Sequence, residues 1–570
     1  MRFLTPLVAT ILLFELLSAS HAQEPADAPP AAWKTEIKGC AIPMRDGKTL
    51  AADIYLPKNP GQYPTVLIQT PYNKDRMGAV TPDSGEAGRG SQNTYSQFDF
   101  DNFAYVIVDW RGFYASKSAM QGVNKRQWKR GQDGFDTVEW IAKQSWSNGK
   151  VGTWGGSALG KQQLDTAAEQ PPHLVCCVPL IASMGQSYEA YYQGGVKLEA
   201  HVERLDQLGY GVSTVVNDNP LPDTLTWRLA RKLTYAPEKI NVPCLMVSGW
   251  WDNYPDQVVE TFNDICAKGG EAARKHSKLV MGPWSHTAID IAKQGDLEFK
   301  NAANYSTKLT LKFLDFWLRD QKDNGFDNAA RVHYYLCGEE AWHEAPQWSA
   351  IKTQPRCFYL HAQGTINEVQ PAKQMPPATD GSSAPEVLTR AFRYDSKNPL
   401  PTRGGANLPP LTHGPKDNAA SEKRSDLLVY STGKLEKPVT LVGNTELEFT
   451  FSVDRVDCDF HVHLCDSDGK ASYLVAEGIQ RAKLVSGAVK LLTPGEKTRI
   501  KVKLNLAAYT FVAGHELKIM LSCGNWPRYE RNCCTGDDHW DEKKAMEVNV
   551  TLYHDAEAPV ILRLPAPVSK

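Results

Sequence analysis

The sequence predicts an α/β domain that is interrupted by a helical insertion and followed by an all-β domain. The chain has 570 residues, too many for a single hydrophobic core. In its first part, continuous apolar runs alternate with stretches of helical spacing, as in a parallel sheet that helices cover on both faces. In its last part, strand-like runs follow one another without a helix of comparable length.

The α/β domain opens with a predicted hairpin. Residues 36–57 have the pattern of two strands around a turn at 45–48. Residues 65–69 and 104–108 are continuous apolar runs, which are typical of buried strands. Helical spacing follows at 133–144, before a further strand.

After about residue 185 the alternation pauses. Residues 186–240 are rich in Tyr, Leu and charge and have helical spacing. They predict a helical cap over the carboxyl edge of the sheet, where ligands of open α/β sheets bind. The sheet resumes with strands at 243–248 and 278–281 around a helix near 255–267, and a helix at 307–319 closes the domain.

The character of the sequence changes from about Val332. The runs that follow predict a β-sandwich or jelly roll; they are 332–336, 357–360, 427–430, 447–453, 500–504, 516–521 and 545–552. The predicted domains are residues 23–184 and 241–350 for the two parts of the α/β core, 185–240 for the cap and 351–570 for the all-β domain.

The N-terminus has the pattern of a secretory signal. Met1-Arg2 precedes an apolar run over 3–17 and then Ser20-His21-Ala22, which predicts a signal peptide of residues 1–22. A retained membrane anchor is the alternative, but the run is shorter than the about 20 residues that span a bilayer. We therefore expect a secreted or periplasmic protein with no membrane attachment after cleavage.

Composition narrows the function classes. With a net charge of -2 and 22% charged residues, the chain has no excess of basic residues that would indicate nucleic-acid binding. The sequence does not decide whether the protein forms a homo-oligomer. Twelve cysteines in an exported chain allow disulfides, and Cys523, Cys533 and Cys534 are the best candidates, with connectivity left open. No metal is expected: His461 and His463 would share a strand face but lack a third ligand nearby in sequence.

The stretch around Ser157 reads as a strand that enters a sharp turn, with a helix behind it. Such a turn holds a serine hydroxyl clear of the backbone, and Gly155 and Gly160 would let strand and helix approach closely. The commonest form of this elbow is Gly-x-Ser-x-Gly, and here the second glycine comes one residue later. A small-residue turn without chemistry is the alternative interpretation.

The rest of the chain favours a nucleophilic role for Ser157. An activated serine needs a base and an acid that orients the base, and in doubly wound hydrolases the acid follows the serine and the histidine comes last. Asp252 follows the predicted strand at 243–248, and His286 follows the one at 278–281. Asp256 is the competing acid, but it falls where the next helix should begin and is better explained as a charge at a helix N-terminus.

Acyl transfer also needs hydrogen-bond donors for the developing oxyanion. The backbone N–H of Ala158, directly after the serine, is one candidate. The hydroxyl of Tyr72, in the loop after the strand at 65–69, is the other. An aromatic residue that only packs after Pro71 is the alternative for Tyr72.

Several motifs resemble the cocaine esterase group of the X-Pro dipeptidyl-peptidase-like acyl hydrolases, in the α/β-hydrolase superfamily. They are Pro71-Tyr72, Asp109-Trp110-Arg111-Gly112, Gly155-Gly156-Ser157-Ala158-Leu159-Gly160, Gly249-Trp250-Trp251-Asp252, Gly282-Pro283-Trp284-Ser285-His286 and, near the C-terminus, Asn525-Trp526-Pro527-Arg528-Tyr529. The resemblance implies an α/β-hydrolase core with an inserted helical cap and a C-terminal jelly roll. It also implies Ser157 as nucleophile, His286 as base, Asp252 as its orienting acid, and Tyr72 and Ala158 as oxyanion donors.

The sequence therefore predicts an exported serine hydrolase that uses no cofactor and cleaves a small ester or amide. Trp251, Tyr254 and Trp284 are expected to line the substrate pocket. An X-Pro dipeptidyl-peptidase, or an α-amino acid ester hydrolase or β-lactam acylase, is the nearest alternative, and a noncatalytic carbohydrate-binding protein is a remote one. Relatives that grip a substrate amine use acidic residues, for which the cap offers Glu189, Glu199 and Asp206.

Overall fold

The computed structural model describes residues 33–77, 99–124, 128–371 and 388–568. The predicted signal peptide of residues 1–22 lies outside the described residues. Within them, no helix combines the length and the apolar character that crossing a membrane requires.

A ten-stranded sheet forms the centre of the first domain. Its strands in chain order are β1 (Trp33–Pro43), β2 (Thr49–Pro57), β3 (Tyr63–Thr70), β4 (Ala104–Asp109), β5 (Ser147–Gly156), β6 (Leu174–Leu180), β7 (Leu245–Trp251), β8 (Lys278–Ser285), β9 (Val332–Leu336) and β10 (Ala341–Ala345). Their spatial order is β1-β2-β4-β3-β5-β6-β7-β8-β9-β10. The strands from β4 to β9 run parallel, and antiparallel strands flank them at both edges. The parallel strands are almost wholly buried, so their sequences are continuous apolar runs.

Eight α-helices of more than one turn lie within the described residues. They are α1 (Arg130–Ala142), α2 (Ala158–Ala168), α3 (Glu199–Gln207), α4 (Ser213–Asn217), α5 (Leu225–Thr234), α6 (Pro255–Lys268), α7 (Glu271–His276) and α8 (Tyr305–Leu318). A single helical turn lies at Lys74–Met77. The helices predicted at 133–144, 255–267 and 307–319 are confirmed within a few residues as α1, α6 and α8.

The cap is the segment between β6 and β7, and it contains α3, α4 and α5. Aromatic and aliphatic side chains give it a small core of its own, formed by Tyr188, Tyr192, Val202, Val216 and Trp227. The sequence predicted no strand here, whereas the structure has a hairpin of two two-residue strands, Tyr192–Gln193 and Val196–Lys197. Strands this short carry no periodicity that a sequence could reveal.

The C-terminal domain consists of two antiparallel sheets. Its strands are β11 (Thr353–Leu360), β12 (Ile366–Asn367), β13 (Thr389–Tyr394), β14 (Leu428–Ser431), β15 (Val439–Val453), β16 (Asp459–Ser467), β17 (Ser472–Arg481), β18 (Thr498–Phe511), β19 (Glu516–Ser522), β20 (Val548–Tyr553) and β21 (Val560–Pro567). One sheet has the order β12-β11-β21-β15-β20-β13, with β18 also pairing with β15, and the other has the order β14-β19-β16-β17.

The start of the all-β region needs a correction. The run at 332–336 is counted among the strand-like runs of the all-β region, although it lies inside the predicted core segment 241–350, and it forms β9, which pairs in parallel with β8 of the core sheet. A short apolar run looks the same in either sheet, so the sequence could not assign it.

The two domains share one continuous hydrophobic core. Polar contacts join them beside α6, where Asp256 accepts hydrogen bonds from Asn444 Nδ2 (2.9 Å), Lys503 Nζ (3.0 Å) and the Leu506 N–H (3.2 Å). Asp256 lies in the first turn of α6, as predicted, but its carboxylate also binds the second domain.

The structure contains none of the disulfides that the sequence allowed. All twelve cysteines are free thiols, and these include the disulfide candidates Cys523, Cys533 and Cys534. These three side chains are almost completely buried, and burial raises the pKa of each thiol. They act as small apolar residues in the core, a role that a sequence cannot distinguish from pairing.

Candidate active site

Ser157 occupies the turn between β5 and α2 and has a strained backbone. Its φ is 58° and its ψ is -119°, a combination that costs energy for any residue except glycine. The Ser157 N–H donates to the Leu180 carbonyl at the end of β6 (2.9 Å). The turn therefore fixes the serine at the carboxyl edge of the sheet, where the predicted elbow should lie.

Glycine permits the close packing behind this turn. A Cβ on Gly160 would lie 2.5 Å from the Ala182 Cβ, and a Cβ on Gly155, whose φ is 141°, would lie 2.7 Å from the Leu159 Cβ. Both distances are shorter than van der Waals contact allows. The expectation that Gly155 and Gly160 let strand and helix approach is confirmed.

Ser157, His286 and Asp252 form one hydrogen-bonded chain. The Ser157 Oγ lies 3.0 Å from His286 Nε2, and His286 Nδ1 lies 2.6 Å from Asp252 Oδ1. His286 follows β8 and Asp252 follows β7, so neighbouring parallel strands deliver both residues to the same edge of the sheet. The structure thus brings together the three residues that the sequence singled out.

The carboxylate of Asp252 is fully buried and firmly held. The Ser248 hydroxyl donates to Oδ2 (2.7 Å) and the Asn253 N–H donates to Oδ1 (2.6 Å). These bonds satisfy a buried charge and fix the oxygen that faces the imidazole. Asp256, the competing acid, bonds to the C-terminal domain instead.

Tyr72 and Ala158 flank the serine. Ala158 is the first residue of α2, so its N–H has no acceptor within the helix and can donate to a bound group. The Tyr72 hydroxyl accepts a hydrogen bond from Tyr210 of the cap (3.2 Å). Burial raises the pKa of Tyr72, and interactions with Tyr210 and Ser157 oppose that rise, so the phenol keeps its proton near neutral pH.

A buried polar network holds the loop that carries Tyr72. The Lys74 N–H donates to Asp109 Oδ1 (2.8 Å), and Lys74 Nζ donates to Asp53 Oδ1 (2.9 Å). The Tyr72 N–H itself donates to the Thr70 hydroxyl (2.9 Å). Sequence reasoning missed this support because its members come from three different strands and loops.

The pocket interpretation of the tryptophans needs correction. Trp284 is completely buried and packs against Trp342, with ring centres 5.8 Å apart. Trp251 is also buried, and its indole N–H donates to the Leu474 carbonyl of the C-terminal domain (3.2 Å). Both side chains therefore pack in the interior. The sequence could not show this, because a strand that is buried on both faces has no alternation to tell which way its last side chains point.

Tyr254 does lie beside the site. Its ring centre is 6.1 Å from that of His286, and its hydroxyl oxygen lies within hydrogen-bonding distance of Nε2 of His201 in α3 (2.8 Å). His201 Nδ1 also lies 3.1 Å from Asn253 Nδ2. Burial lowers the pKa of His201 to about 3, so this histidine is uncharged and links the cap to the loop of Asp252. Sequence reasoning did not identify His201.

Two of the three candidate acids of the cap already have partners. Glu199 pairs with Lys197 (2.9 Å), and Asp206 accepts from the N–H groups of Val212 (2.5 Å) and Ser213 (3.2 Å). Glu189 is exposed. None of these described contacts directs a carboxylate towards Ser157.

His461 and His463 find a third polar neighbour that the sequence did not suggest. Glu477 on β17 lies opposite His463 on β16, and one ligand atom from each of the three residues lies within 4.8 Å of the others. However, Nε of Arg528 lies 3.1 Å from Glu477 Oε1, and this guanidinium would repel a metal cation. We therefore describe the cluster as a buried polar network of the C-terminal domain.

Two protein families match the chain, one in each domain. The family described as X-Pro dipeptidyl-peptidase (S15 family) matches residues 46–232 and 217–288. The family described as the X-Pro dipeptidyl-peptidase C-terminal non-catalytic domain matches residues 324–562.

Individual relatives are similar to this protein over most of the chain. Cocaine esterase of Rhodococcus sp. (strain MB1 Bresler) is 27% identical over 552 residues, which cover 87% of this chain and 92% of that protein. A solved aminopeptidase from a marine sediment Thaumarchaeota archaeon has a TM-score of 0.78 at 21% identity and covers 96% of this chain and 99% of its own. A solved α-amino acid ester hydrolase has a TM-score of 0.77 at 21% identity, and the match covers 95% of this chain and 98% of that protein. These two structural likenesses establish the fold.

Proposed function

We propose that this chain, which belongs to the X-Pro dipeptidyl-peptidase-like family of serine hydrolases, cleaves small acyl esters through an acyl-enzyme on Ser157. The observation that carries the proposal is the hydrogen-bonded chain from Ser157 through His286 to Asp252, at 3.0 and 2.6 Å. Such a chain activates a hydroxyl that is otherwise a weak nucleophile.

Each residue has a defined role in the proposed reaction. His286 Nε2 accepts the proton of Ser157 as Oγ attacks the ester carbonyl carbon, and Asp252 orients the imidazole and stabilises its positive charge. Tyr72 and the Ala158 N–H donate to the oxyanion. His286 then gives the proton to the leaving alkoxide. A water molecule repeats these steps on the acyl-enzyme and releases the acid.

Ester substrates are favoured over peptides with a free amino terminus. Amide cleavage needs a well-held substrate because the leaving amine must be protonated at the right moment. Of the three cap acids, Glu199 pairs with Lys197, Asp206 accepts from main-chain N–H groups and Glu189 is exposed, so none of their described contacts forms a grip for an ammonium group beside Ser157. Export remains part of the proposal on the strength of the signal-like residues 1–22.

A fluorophosphonate probe tests the nucleophile. We expect one label per chain on the wild type and none on Ser157→Ala, with unchanged thermal melting. Ser118→Ala, at an exposed serine in the short 3-10 helix Tyr114–Met120, is the matched control and should label normally. Labelling of Ser157→Ala would contradict the proposal.

Substrate preference is tested by kcat/KM for an acyl ester, its isosteric amide and an X-Pro anilide. We expect the ester to be cleaved much faster. Equal rates, or a preference for the anilide, would favour an aminopeptidase.

A further inference from the structure

Helix α5 of the cap turns its apolar side to solvent. Leu225, Leu229 and Leu233 recur every four residues, so they form a stripe along one side of the helix. These leucines are 62%, 44% and 76% exposed, whereas the buried residue of the helix is Trp227, about half a turn around the helix from Leu229. A helix on the surface of a domain normally directs its leucines towards the core. In α5 the core receives a tryptophan and the leucines face outwards.

The opposite side of α5 holds the helix on the protein. The ring of Trp227 packs against Tyr188, with ring centres 5.9 Å apart, and its indole N–H donates to the Asn219 carbonyl (2.8 Å). Arg231 forms an ion pair with Glu260 of α6 (2.5 Å). These contacts anchor the helix without the leucines, so the stripe is available to a partner.

Two cations border the leucine stripe. Arg228 and Lys232 come three residues after Leu225 and Leu229, which places each cation beside a leucine. Both side chains are exposed, and within the described part of the chain neither has an ion-pair or hydrogen-bond partner. Helix α5 contains three basic residues and no acidic one. An apolar stripe with cations along its border complements a surface that offers hydrocarbon and negative charge together.

We propose that α5 docks the protein on a lipid surface that contains anionic headgroups. The helix lies in the plane of this surface, its leucines enter the boundary between headgroups and acyl chains, and Arg228 and Lys232 bind lipid phosphates. This proposal replaces the expectation of no membrane attachment, which considered spanning and anchoring segments and not the surface of the cap. It does not depend on the chemistry at Ser157.

A second copy of the chain is the other occupant that would cover the leucines. In a two-fold pairing of α5 with itself, the same residues of both copies meet. Arg228 and Lys232 of the two helices would then lie along one border and repel one another, whereas anionic headgroups neutralise them. The charges therefore favour the lipid surface.

The test measures co-sedimentation of the mature protein with lipid vesicles. Residues 1–22 are omitted with the predicted signal peptide, because their apolar run could itself bind lipid. The vesicles consist of phosphatidylcholine alone, or of phosphatidylcholine with about 30% phosphatidylglycerol. We expect the wild type to bind the mixed vesicles about tenfold or more tightly than the neutral ones, and added salt to reduce this preference.

Two double variants separate the apolar and the electrostatic contributions. Leu229→Gln with Leu233→Gln should weaken binding to the mixed vesicles about tenfold or more, because two leucines no longer enter the apolar region. Arg228→Gln with Lys232→Gln should remove the preference for the mixed vesicles, by about fivefold for each cation. Val369→Gln is the matched control, since Val369 is an apolar residue of the C-terminal domain that is 70% exposed, and it should bind like the wild type.

Four outcomes would overturn the inference. The wild type might bind neither kind of vesicle, or both kinds equally well. Val369→Gln might lose as much binding as the leucine variant, which would make the association nonspecific. Light scattering could show a wild-type dimer that the leucine variant dissociates, in which case a second copy covers the stripe. A lower melting temperature or a failure to fold in the leucine variant would show that the chain itself covers the leucines, because exposed side chains contribute little to stability.

Discussion

Replacing Tyr72 with Phe removes one hydroxyl and keeps the ring that packs in the loop after β3. The Tyr210 hydroxyl donates to the Tyr72 oxygen (3.2 Å), so the Tyr72 proton is free to point elsewhere. In the proposed reaction it points at the oxyanion, together with the N–H of Ala158. The substitution therefore takes away one of two donors and leaves the nucleophile and base intact.

The expected loss can be given a size. Removing one oxyanion donor typically lowers kcat by about 10²–10³, or about 2.7–4 kcal/mol of transition-state stabilisation. Because the hydrogen bond to Tyr72 would form fully only when the carbonyl oxygen becomes charged, kcat should fall while KM changes little. Initial rates on a 4-nitrophenyl ester over a range of concentrations separate the two constants.

Tyr210→Phe is the matched control, because it removes a hydroxyl that only supports Tyr72. Losing one neutral hydrogen bond costs about 1 kcal/mol, so its effect on kcat should be about tenfold or less. Three results would refute the reasoning: a loss in Tyr72→Phe below about fivefold, a loss confined to KM, or equal losses in the two variants. Thermal melting of both variants would show that neither has lost its fold.

Two further predictions concern stability. A chain that ends at Ala350 should be insoluble or inactive, because it lacks the partners of Trp251 and Asp256; a soluble and fully active fragment would show that the second domain is dispensable. Burial lowers the pKa of His554 to about 4, so this histidine is uncharged when folded and gains a proton on unfolding below about pH 6.5. Its contribution should reduce stability as pH falls from 6.5 towards 4, by up to about 1.4 kcal/mol per pH unit. Urea unfolding at pH 7 and pH 5 should therefore show a smaller drop in His554→Gln than in the wild type, and identical drops would contradict this.

The sequence could place Ser157, Asp252 and His286 because each signal is local. Each residue follows a predicted strand within a few positions, and parallel strands bring their carboxyl ends to one edge of a sheet. Asp252 is preferred to Asp256 because Asp256 falls where the next helix should begin, where an acidic residue is explained by the helix N-terminus. No long-range contact had to be known for these three positions.

Other features depend on contacts between distant segments. Tyr210 reaches Tyr72 across 138 residues, and His201 reaches Tyr254 across 53, without any local pattern that marks either pair. The direction of Trp284 was misjudged because its strand is buried on both faces and shows no alternation.

The loop that carries Asp252 is held from both sides by the C-terminal domain. Before it, the indole of Trp251 donates to the Leu474 carbonyl, and after it, Asp256 binds Lys503 and the Leu506 N–H. The oxygen of Asp252 that orients His286 therefore depends on contacts made more than 200 residues further along the chain. A fragment could fold its sheet and still lose the alignment of base and nucleophile. In the proposed mechanism, the second domain is thus part of the apparatus that positions the acid.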